Sequence, residues 1–145
     1  MTQEYKELIL KDLCARLPYG VKCQWDTYYE GILIDVCKCK TKDGFVYWDC
    51  YFEECGDDVP IEIVKPYLRP MSSMTEEERK EVGNLIKENR PDPYGIISNK
   101  GIYNLLFSVS ITSGVLIDWL NAYHFDYRGL IEKGLALEAQ EGMYK

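Results

Sequence analysis

Apolar positions change their period twice along this chain. Through residues 2–17 they recur with helical spacing: Tyr5, Ile9, Leu13 and Leu17 fall four apart, and Leu10 and Cys14 widen the stripe. Glu4, Lys6, Glu7, Lys11 and Asp12 take the wet side of this expected helix, and Pro18-Tyr19-Gly20 stops it. From Val21 to Val64 the period becomes two. A short strand over Val21 to Trp25 and a turn at Asp26-Thr27 lead into a long strand from Tyr29 to Lys40. Simple alternation puts Ile32, Ile34 and Val36 on one face of that strand and Leu33, Asp35, Cys37 and Cys39 on the other. Thr41-Lys42-Asp43-Gly44 carries hairpin chemistry, because Asp-Gly tolerates the positive φ of tight turns. Phe45 to Phe52 follows as an aromatic-rich strand, Glu53 to Asp58 reads as an acidic loop, and Pro60 to Val64 as a short closing edge strand.

The second change comes at Lys65-Pro66-Tyr67-Leu68-Arg69-Pro70, where two prolines argue against a helix and against a central strand. Thr75 with Glu78 three residues later makes a capping box for a helix over Thr75 to Asn89, whose narrow apolar stripe is Val82, Leu85 and Ile86. Glu76, Glu77 and Glu78 occupy its first turn, where the macrodipole favours negative charge. Pro91 to Gly95 reads as a rigid loop, and residues 96–112 fit a strand and a helix about equally. Val115 to Tyr123 has the spacing of a helix, and Leu130 to Ala139 of a final helical segment. The expectation is one α+β domain over residues 1–145. Residues 1–70 form a helix and a small bent antiparallel sheet, drawn as an SH3-like barrel, and a mainly helical part over 71–145 packs on it.

Composition is that of a folded soluble protein, with 46% hydrophobic and 28% charged residues in 145, enough chain for a real core. No apolar run approaches a membrane span and the first residues lack a leader pattern, so the expected location is cytoplasmic. The net charge of −7 is spread evenly: residues 1–70 hold 9 Lys and Arg against 13 Asp and Glu, and residues 71–145 hold 8 against 11. A diffuse acidic surface repels phosphate backbones, which ranks a protein or peptide partner above nucleic acid. The six cysteines, in a chain expected to sit in a reducing compartment, read as small hydrophobes.

Several constellations bear chemistry on paper. Cys37 and Cys39 would share a strand face and, with Cys50 and Cys55, supply four thiolates for zinc, but C-x-C is not the C-x₂₋₄-C knuckle such sites use. The expectation is therefore no metal and no cofactor. His124, the single histidine, with Asp126 to orient it, would be needed for any Cys–His catalysis. Asp35, Asp49, Glu53, Glu54, Asp57 and Asp58 are candidates for a carboxylate site at one end of the sheet, although their spacing is not that of an EF-hand. No phosphate-binding glycine loop is present. Aromatic residues crowd the β region, and only one face of a small sheet is core, so rings on the other face offer a docking surface: Trp25, Tyr28, Tyr29, Tyr47 and Tyr51. Lys22, Lys38, Lys40 and Lys42 form the alternative, a local basic patch for nucleic acid.

Three strings stand out together: Lys11 to Gly20 (KDLCARLPYG), Val64 to Thr75 (VKPYLRPMSSMT) and Phe125 to Ile131 (FDYRGLI). They resemble an uncharacterised family of short proteins from gut anaerobic bacteria, their bacteriophages and mobile elements. The family has no assigned activity, so the resemblance implies a mobile-element context and an accessory or interaction role, with no catalytic residue to transfer. The reading that joins these observations is a non-enzymatic interaction module. Nucleic-acid binding through the small barrel is the alternative, and an enzyme with a carboxylate or Cys/His site a further one.

Overall fold

The computed structural model describes residues 1–89 and 114–144, so the ambiguous stretch 96–112 and the Pro91–Gly95 loop lie outside the described residues. Helix α1 (Gln3–Arg16) is capped by Thr2, whose hydroxyl accepts from the Tyr5 amide at 3.2 Å. Ile9 and Leu13 of its stripe are fully buried. A 3₁₀ turn, Leu17–Tyr19, closes on Gly20 at φ 66°. Five strands follow: β1 (Lys22–Trp25), β2 (Tyr29–Lys40), β3 (Val46–Phe52), β4 (Cys55–Pro60) and β5 (Val64–Leu68). They pair antiparallel in the order β4-β3-β2-β1-β5, and a two-residue β6 (Leu137–Glu138) adds parallel to β5. The turn between β2 and β3 is the expected one, with Gly44 at φ 90° and the Thr41 amide donating to Phe45 O at 2.9 Å.

The architecture is α+β, with an N-terminal helix on a six-stranded sheet that is not closed into a barrel. β4 and β6 are its two edges, and they do not pair with each other. The expected acidic loop is largely β4. Val59 turns inward opposite Cys50 while Asp57 and Asp58 stay exposed, the charge placement that protects a sheet edge from foreign strands. The expected closing strand at residues 60–64 is instead a 3₁₀ turn, Ile61–Ile63, that buries Ile61. The strand comes later, as β5, and it contains Pro66. Proline fits because β6 reaches only Tyr67 and Leu68, so Pro66 has a ladder partner on one side, Cys23, and none in β6.

A bulge between Leu33 and Asp35 overturns the simple alternation along β2. Gly31, Leu33 and then Val36 face the core with Trp48, Cys50 and Phe52, while Ile32 and Ile34 are exposed. Beyond the bulge, Asp35, Cys37 and Cys39 lie opposite Tyr51, Asp49 and Tyr47 on the outer face.

Downstream, α2 (Glu76–Asn89) begins with the capping box: the Glu78 amide donates to Thr75 Oγ1 at 3.2 Å and the Thr75 amide to Glu78 Oε2 at 2.8 Å. Glu78 also receives two hydrogen bonds from Arg69, at 2.7 and 2.9 Å. Partial burial opposes ionisation of Glu78, but the Arg69 and Thr75 hydrogen bonds win and its carboxyl sits below the usual range. Thr75→Ala leaves the Glu78 amide without its acceptor and should cost about 1 kcal/mol in urea unfolding, with Thr75→Ser restoring most of it. An unchanged midpoint for Thr75→Ala would count against the cap.

Helix α3 (Gly114–Ala122) buries Leu116, Trp119 and Leu120. With Met71, Met74, Val82 and Phe125 they form a second apolar cluster. The expected helix over residues 130–139 is absent. Gly129 and Gly134 adopt φ 69° and 70°, which breaks a helical run, and the chain turns back so that Leu130, Leu135 and Ala136 join the core of the sheet. The described part of residues 71–145 is thus two helices and a returning segment, not a helical half. Among the described residues no helix is long and apolar enough to cross a membrane.

Candidate functional site

The five expected aromatic residues do not form one surface. Trp25 is core: it is 8% exposed and its ring stacks on Phe52 at 4.0 Å. Tyr29 leans on the same stack, 6.3 Å from Trp25, and is 59% exposed, while Tyr28 beside it in the β1–β2 turn is 87% exposed. The turn is held by Asp26, at φ 58°, whose Oδ1 accepts from the Thr27 amide. Tyr47 pairs with Cys39, ten residues beyond Tyr29 along β2, a contour length of roughly 33 Å. Tyr47 and Tyr51 are half-buried, on the outer face that the bulge creates.

On that face phenols, thiols and carboxylates alternate across β2, β3 and β4. The Cys37 thiol donates to Asp35 Oδ2 at 3.2 Å, and this bond, followed by desolvation and the carboxylate's charge, raises its pKa. Desolvation, followed by the charge of Asp49, raises Cys39. The Tyr47 phenol is pushed up chiefly by Cys39, and Tyr51 to about 12 by desolvation and its hydrogen bond to Asp58. These two thiols and two phenols, already protonated at neutral pH at their ordinary values, are held further from ionisation. The face offers hydrogen-bonding groups and aromatic surface.

The four cysteines considered for zinc are not brought together. Cys50 points into the core, fully buried and with its thiol pushed up to about 12 by desolvation, on the side opposite Cys37 and Cys39. Among the described residues no group of three or more His, Cys, Asp or Glu has a metal-holding arrangement. His124 and Asp126 are both buried, but Asp126 does not orient the imidazole: its two oxygens accept from the Leu130 and Ile131 amides at 2.8 and 2.9 Å. The lysines of the alternative patch are split as well. Lys22 pairs with Glu30 at 2.7 Å on the β1–β2 surface, whereas Lys38 lies 5.9 Å over the Trp48 ring toward the other end of the sheet.

A buried ionic junction is the feature that helical patterning hid. Asp12, assigned above to the wet side of α1, is fully buried, and so is Arg16 one turn later. Arg16 Nε donates to Asp12 Oδ2 at 2.8 Å, and its Nη2 to Asp12 Oδ1 at 3.1 Å and to the Phe125 carbonyl at 2.7 Å. Arg128 Nε reaches Asp12 Oδ1 at 3.2 Å, its Nη2 meets the Tyr127 hydroxyl, and that hydroxyl donates to Asn121 Oδ1 at 3.0 Å. Arg69 lies 4.2 Å over the Phe125 ring and exchanges backbone hydrogen bonds with His124 and Asp126. The Asp-Arg spacing of four was the available sequence clue, since such a pair neutralises itself on one helix face. The three sequence strings singled out above, 11–20, 64–75 and 125–131, meet here, at the joint between α1, the end of β5 and the segment after α3. They mark an assembly point of the fold. Comparison with known protein families, characterised proteins and solved structures returns no match.

Proposed function

We propose that this protein is a non-enzymatic interaction module, an accessory of the phage or mobile-element type, that docks a protein partner on the aromatic tip of the β1–β2 hairpin. The carrying observation is the contrast at that tip. Trp25 and Phe52 form a buried stacked base on which Tyr29, 59% exposed, leans, and Tyr28 beside it in the turn is 87% exposed. Two wet phenols side by side at one hairpin turn provide large contact area at small cost in side-chain entropy, the usual make-up of a protein-binding anchor. Tyr47 and Tyr51, opposite Cys39 and Asp35 on the outer face of the sheet, form a second, more polar aromatic surface. The acidic surface favours encounter with a basic partner.

The test compares stoichiometric capture from the native host by the wild-type protein and by Tyr28→Ser/Tyr29→Ser. Truncating a pair of anchor tyrosines should lower recovery of the partner at least tenfold, with the far-UV spectrum and the urea midpoint retained. Equal recovery by both proteins, or no stoichiometric partner for the wild type, would remove the reading.

A further inference from the structure

Residues 138 and 140–142 are exposed, yet Tyr144 just beyond them is anchored by three elements. Its hydroxyl accepts from the Lys22 amide of β1 at 3.0 Å and donates to the Tyr67 carbonyl of β5 at 2.8 Å. Its ring stacks on His124 with centroids 3.8 Å apart and planes at 23°. Upstream the segment holds through the Ala139 amide to Leu68 O at 2.8 Å, and it turns at Gly142, φ 78°, with the Met143 amide on Gln140 O. Beneath it, Arg69, Ser73 and Glu78 line a cleft of about 520 Å³ whose opposite wall is the 138–142 stretch and Tyr144.

The ring of Tyr144 is one lid on His124, which is 4% exposed. The other groups around the imidazole are the Tyr19 carbonyl, which accepts from it, and two guanidiniums, Arg16 from α1 and Arg69 from the end of β5. Asp12 balances Arg16 and Glu78 balances Arg69, while Asp126 is committed to the 130–131 amides. No carboxylate is therefore left to receive a proton-bearing imidazole, and Nδ1 has no partner among the described residues. Burial, followed by the charge of Arg16, holds the imidazole pKa down to about 4.

We infer that residues 139–144 form a releasable strap, clamped by Tyr144 over neutral His124, and that protonation of His124 opens it while the sheet stays folded. A charged imidazole needs water, and moving the Tyr144 ring is the shortest way to supply it. Opening breaks one ring stack, the hydroxyl's hydrogen bonds and the Ala139 amide bond to Leu68 O, less than each of the strands β1–β5 holds. It also turns the Arg69 cleft into an open groove. The link is reciprocal: whatever keeps the strap shut keeps the proton off.

Because His124 is the only histidine, its imidazole signals in NMR report this equilibrium without overlap. In the 145-residue chain, the titration midpoint of Tyr144→Ala should move by at least about one pH unit toward the ordinary value near 6.5, with the β2–β3 amide signals in place. Tyr144→Phe, which keeps the stack and loses the hydroxyl, should fall between, and it serves as the variant of record if alanine does not fold. In the wild type, the Lys22 amide should lose protection as the imidazole titrates while the β2–β3 amides keep theirs. Identical midpoints in wild type and both variants would overturn the inference, and so would simultaneous loss of Lys22 and β2–β3 protection.

Discussion

Asp12→Ala is expected to cost about 3–5 kcal/mol, a large part of what holds a domain of this size together. The carboxylate is fully buried and receives Arg16 twice and Arg128 once. Its loss strands the Arg16 guanidinium, itself fully buried, beside Arg128 and with a single hydrogen bond, to Phe125 O. Uncompensated burial of a charge, more than the lost attraction, makes the change severe. The double variant Asp12→Leu/Arg16→Met should therefore recover much of the loss, since it removes both fully buried charges and leaves the Phe125 carbonyl short of a donor, a cost of about 1–2 kcal/mol, and the part-exposed Arg128 without its carboxylate but still on the Tyr127 hydroxyl. Urea unfolding at neutral pH separates the cases. A single variant within about 1 kcal/mol of wild type, or a double variant no better than the single, would mean that the junction is more hydrated than its burial indicates.

Phe125→Ala is the second large effect, expected at about 3–5 kcal/mol. The side chain is fully buried, with its ring 5.7 Å from Trp119 and 4.2 Å beneath the Arg69 guanidinium. Truncation leaves a cavity at the centre of the second cluster and removes the aromatic face over which Arg69 lies. Phe125→Leu refills much of the volume without restoring that face, so it should lose clearly less. The same urea series, read alongside Trp119 fluorescence, checks both expectations. Equal losses for alanine and leucine would assign the effect to the ring face alone and set the cavity argument aside.

Much of the local structure was legible because it rests on short-range chemistry. Thr75 and Glu78 close a capping box as written, Gly44 takes the positive φ that Asp-Gly announced, and the apolar spacing of residues 2–17 and 115–123 predicts helices within a residue or two of α1 and α3. The errors fall where one residue changes the register or where polar residues find partners far away. A single bulge at Leu33/Asp35 puts Val36 on the face of Leu33, apart from Ile32 and Ile34, and no period-two pattern can announce it. Asp57 and Asp58 looked like loop because an edge strand needs only one buried residue, here Val59. Gly134 interrupts, and Gly129 precedes, a run whose apolar spacing alone suggests a helix.

The candidate surface was legible in kind and not in extent. Crowded aromatics in a small sheet implied wet rings, and Tyr28 and Tyr29 are wet, but Trp25 belongs to the core because Phe52 lies in stacking distance across the bent sheet.

What the chain determines by itself is where helices start and stop, where it turns, and that its acidic charge is diffuse, since each follows from neighbours within about four residues. Only the tertiary structure decides that Asp12 is buried, that His124 lies under Tyr144, and which tyrosines meet water. Those outcomes depend on contacts between residues more than a hundred positions apart, such as Arg16 with Phe125, or on a register that packing selects. Burial is a property of the assembled neighbours, and no local pattern encodes it.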